Sequence, residues 1–207
     1  MKRKILFFAT LLLLSLPAFA QQSEQQARES IVAAARQLKT MQCDFVQTKR
    51  LKMLGSASIT SEGRMYYSQG EKLRWEYVKP YQYTFILSGG RVLLKNKERS
   101  DVIDVAGNRL FREIARIMMS SVVGSSLTDE RTFKTAIAAE GGEWVATLTP
   151  MRRDMKQMFQ RIVLHFDRRQ AAVCRVELHE KNGDTTIIDL KNIRKNETIA
   201  PSTFAVE

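Results

Sequence analysis

The chain has 207 residues, 44% hydrophobic and 27% charged, with a net charge of +11. That suffices for one domain with a sizeable core and is too apolar for a disordered chain. Two histidines, two cysteines and no glycine-rich phosphate loop leave little from which to assemble a catalytic centre.

Residues 1–20 read as a signal peptide. Lys2, Arg3 and Lys4 precede the apolar run Ile5 to Leu16, and Pro17-Ala18-Phe19-Ala20 supplies an A-x-A cleavage site before Gln21. The run is about a dozen residues, short of the roughly 20 that span a bilayer. Export and cleavage are therefore expected, leaving residues 21–207 as a single domain, and Gln21 in place of a Cys argues against a lipid anchor. Losing those three cations leaves +8, with basic clusters at Lys95/Lys97/Arg99, Arg152/Arg153 and Arg168/Arg169. Such a surface suits anionic headgroups or acidic partners, although charge runs are usually a solvated face. No motif for nucleic acid is present, and none is expected as a partner.

A helix comes next. Ser23 and Gln26 read as a capping box, and Ala27, Ile31, Ala34, Ala35 and Leu38 follow at helical spacing, giving one apolar stripe to bury. After Thr40 the period falls to 2. Met65 and Tyr67, then Leu73, Trp75 and Tyr77, then Tyr83, Phe85 and Leu87 alternate on three successive strands punctuated by Gln69-Gly70 and Gly89-Gly90. Trp144, Ala146 and Leu148, Ile162, Leu164 and Phe166, Cys174, Val176 and Leu178, and Ile188 and Leu190 continue the alternation, so an antiparallel meander with one apolar face is expected.

Between the two strand groups, residues 108–126 form an amphipathic helix on the wheel. Leu110, Phe111, Ile114, Ile117, Met118 and Val122 share one side, opposite Arg112, Glu113, Arg116 and Ser120. A short helix from Pro150 is predicted by Met151, Met155, Met158 and Phe159. A sheet this long should twist and curve, with two or three helices covering its concave apolar face, in an α+β fold. Periodicity leaves open whether the helices fill that space, the ordinary outcome, or leave a pocket; the Met-rich helices lean toward a pocket.

Cys43 and Cys174 could pair in an oxidising compartment, but Cys174 alternates with Val176 and Leu178, which suits a buried free thiol equally well. His165 and His179 fall on the polar side beside Asp167, Arg161 and Glu177, and His179-Glu180 lacks the second His of a helical zinc motif. No metal, cofactor or catalysis is expected, and the sequon Asn196-Glu197-Thr198 reads as a chance match.

Taken together, the A-x-A signal, the N-terminal helix, Phe45-Val46-Gln47, Gly63, Leu73-Arg74-Trp75-Glu76-Tyr77 with Pro80, and Gly183-Asp184-Thr185-Thr186 followed by Ile193, Asn196, Ile199 and Phe204 resemble the periplasmic outer-membrane lipoprotein carriers, the LolA family. The resemblance implies an incomplete, strongly curved antiparallel β-barrel whose helix-covered cavity holds the acyl chains of lipoproteins between inner and outer membrane. It implies a monomer in the periplasm, loaded by an inner-membrane ATP-driven release complex and unloaded at an outer-membrane acceptor. Cavity residues on that reading are Met65, Leu73 at the mouth, Trp75, Tyr77, Tyr83 and Phe85, with Leu110, Phe111, Ile114, Ile117 and Met118 from the lid. Where the family often has Lys-Arg-Pro this chain has Ser68-Gln69-Gly70, so the arginine that ties the lid has no counterpart. The same cavity would also serve a carrier of another amphiphile, such as a glycolipid or lipid-linked pigment, or a lipid-sensing regulatory module.

Overall fold

The structure is a computed structural model that describes residues 16–55, 57–104, 119, 127 and 129–206, with the backbone alone for 16–22. Helix α1 (Leu16–Gln37) leads into β1 (Thr40–Leu51), β2 (Ala57–Ser68), β3 (Lys72–Lys79), β4 (Tyr83–Ser88), β5 (Arg91–Asn96) and β6 (Ser100–Asp104). A second run follows as β7 (Phe133–Glu140), β8 (Glu143–Pro150), a short α2 (Arg153–Met158), β9 (Phe159–Asp167), β10 (Ala172–Glu180) and β11 (Thr185–Lys195). Leu110, Phe111, Ile114, Ile117 and Met118 lie outside the described residues; Met119 packs half-buried against the core.

All the strands join one antiparallel sheet in the order β6-β5-β4-β3-β2-β1-β11-β10-β9-β8-β7. Each run is a meander of neighbours, and β11 returns beside β1 to join the two runs, so among the described residues β6 and β7 are the edge strands and the barrel is not closed. Val92 near one edge and Ile137 at the other belong to a single apolar cluster, which requires the sheet to curl around a common core. Register shifts at Gln42/Asp44, Glu62/Gly63, Val173/Arg175 and His179/Glu180 sharpen that curl locally.

Helix α1 buries Ala27 and Ile31 against this sheet, over β7 and β10, and Leu38, just past its end, is buried with them. A void of about 20 Å³ remains beneath its C-terminal end, lined by Ala34, Ala35, Leu38, Met41, Phe166 and Val173 among others. In the full chain α1 continues through Ser23 from Leu16, so the Ser23–Gln26 pair lies inside the helix and does not mark its start. Asn196 fixes the entry to β1 instead, its Oδ1 accepting the Lys39 N–H at 2.8 Å while its own N–H donates to Thr40 O. Arg28 of α1 donates to Leu127 O at 2.5 Å and pairs with Glu24 at 3.3 Å.

Two expectations need correction. The outer face is not polar throughout: Ile86 and Leu93, paired across β4 and β5, are buried under Phe204 and Val206, while Arg74 donates to Thr203 O at 3.4 Å. The helix after Pro150 is only α2, which buries Met155 and leaves Met151 half exposed.

Candidate functional site

Alternation and register together place the predicted sheet residues in straight rows across the strands. Cys43, Met65, Trp75, Phe85 and Leu94 are successive partners from β1 to β5, and Met41, Tyr67, Leu73, Leu87 and Val92 form the adjacent row. Both rows face the common core. Met65 and Leu73 are fully buried, Trp75 and Phe85 nearly so, and Tyr77 and Tyr83 half-buried at the margin. The described half of the site is thus brought together on one face. Leu73, expected at a mouth, has no exposed surface.

A third row, Phe45, Gly63, Tyr77 and Tyr83, is built around an absent side chain. A Cβ on Gly63 would stand 2.1 Å from Glu76 O and 2.3 Å from Phe45 Cζ. With hydrogen there, the Phe45 ring lies over the β2 backbone and stacks on Trp75 at 4.4 Å, with Tyr77 edge-on at 5.2 Å. From Tyr77 the aromatic contacts continue to Tyr81 at 5.4 Å and Tyr83 at 6.5 Å, and Tyr81 is half exposed. Sequence reasoning missed Phe45 and Gly63 as site residues because their contact depends on strand pairing; a glycine within an otherwise apolar-alternating strand was the available signal.

The electrostatics of this face are those of a neutral surface. Burial raises the phenol pKa values of Tyr67, Tyr77 and Tyr83, with Tyr81 adding to the effect at Tyr77 and Asp101 at Tyr83. The hydroxyls therefore stay protonated, and Tyr77 Oη donates to Gln47 Oε1 at 2.9 Å. The Trp75 indole N–H sits near the Tyr77 hydroxyl without reaching hydrogen-bond geometry. Among the described residues Nε1 is the buried side-chain polar atom without a partner. Such an orphan costs about 1–3 kcal/mol. Trp75→Phe is thus expected to hold thermal stability within about 1 kcal/mol, the lost ring area offset by the lost orphan; a deficit above about 3 kcal/mol in a melt would mean that Nε1 has a partner.

The thiols are not paired. Cys43 is buried in the core, and burial, then Asp44, pushes its pKa up to about 12. The shift between Val173 and Arg175 turns Cys174 out of phase with Val176, onto the face carrying Glu143 and His165, so no disulfide joins it to Cys43. There burial, then Glu143, raises the Cys174 pKa to about 11. His165 lies between Glu143 at 2.9 Å and Glu177 at 3.2 Å, and Glu177 also meets His179 at 3.0 Å. This ladder ties β8, β9 and β10 together on the outer face, away from the aromatic row. Among the described residues no His, Cys, Asp and Glu side chains cluster to hold a metal ion.

Among the described residues this wall is apolar and uncharged, with phenol and indole edges. The model for the outer membrane lipoprotein carrier protein LolA matches residues 36–207. The chain belongs to the LolA family. LolA carriers are binding proteins and not enzymes. The outer-membrane lipoprotein carrier protein of Methylococcus capsulatus is 28% identical over 187 residues, covering 90% of this chain and 86% of that one, and its namesake in Ralstonia nicotianae is 26% identical over 197 residues, covering 93% and 88%. Among solved structures, an uncharacterized conserved protein from Thermus thermophilus superimposes with a TM-score of 0.52 at 9% identity, covering 87% of this chain and 91% of that one. MucB superimposes at 0.51 and 14%, covering 90% of this chain and 63% of its own. Those two likenesses are of fold alone.

Proposed function

We propose that the chain is a periplasmic carrier that takes the acyl chains of lipoproteins on the apolar face of its sheet and moves them from inner to outer membrane. The observation that carries this reading is the uninterrupted, uncharged face of Met65, Leu73, Trp75, Tyr77, Tyr83 and Phe85 in a LolA-family chain. An acyl methylene in water costs about 0.8 kcal/mol, so a sixteen-carbon chain costs roughly 12, and crossing an aqueous compartment requires a substitute for bilayer contact. The Trp75 N–H offers a donor to the carbonyl of an ester- or amide-linked chain. Residues 1–20 serve as the cleaved signal and 21–207 as the carrier domain, with Leu110, Phe111, Ile114, Ile117 and Met118 closing over the cargo.

On this reading an inner-membrane ATP-driven release complex loads the protein, since the sequence has no nucleotide-binding loop of its own, and an outer-membrane acceptor unloads it. The test is mass spectrometry of what co-purifies with the tagged protein from its host's periplasm without detergent. Acylated lipoproteins at one per carrier are expected. Glycolipid or pigment in their place would reassign the cargo, and an empty protein bound to a signalling partner would reassign the role.

A further inference from the structure

Among the described residues, six large apolar side chains stand well out into solvent, from Met53 at 91% and Leu54 at 66% to Ile59, Tyr81, Val102 and Met151 at about half. Four of them occupy connections at one end of the sheet. The register decides this: Leu51 pairs with Ala57, Tyr77 with Tyr83, and Phe133 with Pro150, so the turn carrying Met53 and Leu54, the turn carrying Tyr81 and the segment carrying Met151 all leave the same rim. Lys52 N–H donates to Asp184 Oδ1 at 2.9 Å and Lys181 N–H to Met158 O at 2.9 Å, which links neighbouring loops of that rim. The connections at the opposite end, 69–71, 89–90, 141–142 and 168–171, carry none of the six.

The same rim is basic. Exposed Lys52, Lys97, Arg153, Lys156 and Lys181 have no carboxylate partner among the described residues. Of its acids, Glu180 is engaged by Lys49, Glu62 by Lys79 and Asp154 by Arg152, Asp129 accepts the Thr132 N–H and Asp184 is buried, while Glu98 and Glu130 have no ion pair among the described residues. Apolar tips on separate loops fit a fluid surface that each can enter independently, and the surrounding cations fit its negative charge. We propose that this rim docks onto a bilayer surface bearing acidic phospholipid headgroups. Tyr81, which begins the aromatic row leading through Tyr77 to Phe45 and Trp75, lies at that docking edge.

The proposal stands apart from the identity of any cargo, and flotation with vesicles tests it on the empty protein. Binding is expected to phosphatidylglycerol–phosphatidylcholine vesicles and not to pure phosphatidylcholine, and it should be reversed by salt. M53S/L54S should weaken it about tenfold, and R153Q/K181Q roughly tenfold or more, while R168Q/R169Q at the opposite end leaves it unchanged. All these side chains are exposed, so folding should persist, and a melt checks this. Failure to float, indifference to either rim pair, or equal loss in R168Q/R169Q would overturn the proposal. So would capture by polyglutamate, sensitive to the rim variants, with no vesicle binding, because that would assign the rim to an acidic polypeptide.

Discussion

Gly63→Ala should lose at least about 3 kcal/mol of stability, lowering the melting temperature by roughly 6–12 °C in a chain of this length. A methyl group there meets two things that differ in kind: the Phe45 ring at 2.3 Å, which could move, and Glu76 O at 2.1 Å, which belongs to the paired β3 backbone. Phe45→Ala alone should cost about 3–5 kcal/mol, by opening a cavity beneath Trp75. In the double variant the ring clash is gone and the carbonyl clash remains, so Phe45→Ala should fail to rescue Gly63→Ala. Thermal melts of the three variants decide the point. If the double variant is as stable as Phe45→Ala alone, β3 yields readily and the close approach of β2 to β3 is not the constraint.

The alternation that puts Leu73, Trp75 and Tyr77 with Tyr83, Phe85 and Leu87 was readable from residue order, because period-2 burial is a local property. The α1 stripe was readable for the same reason. What local pattern cannot carry is which distant strands meet. Two meanders could be seen, but the join of β1 to β11 arises from pairing across most of the chain, and the Phe45 ring over Gly63 follows from the β1–β2 register. Cys174 was misplaced because one irregularity between Val173 and Arg175 changes the phase of the strand, and no residue in that stretch announces it. Ile86 and Leu93 were hidden within the short apolar runs Phe85-Ile86-Leu87 and Val92-Leu93-Leu94, where both faces are apolar and only the returning C-terminal segment explains the outer one.

Leu73→Glu separates a packed wall from an open mouth. Leu73 is fully buried in the row Met41, Tyr67, Leu87 and Val92, none of which can pair with a carboxylate by charge. An ionised glutamate there should cost about 4 kcal/mol or more, and desolvation would raise its folded-state pKa above the roughly 4.3 of the unfolded chain. Below that unfolded value both states are protonated and no ionisation penalty exists. As pH rises the unfolded chain releases its proton first, so the variant falls further behind the wild type until its folded pKa is passed, after which the gap is constant. Leu73→Met, close in volume, should stay within about 1.5 kcal/mol at every pH. Denaturant melts of both variants from acid to neutral pH provide the comparison. A Leu73→Glu protein as stable as wild type at neutral pH, with no widening gap, would mean that the side chain reaches water. Leu73 would then stand at the mouth of a cavity, and the loss of cargo in that variant could be attributed to the ligand contact. With the widening gap, the same loss of cargo would follow from the damaged wall, and only Leu73→Met could report on binding.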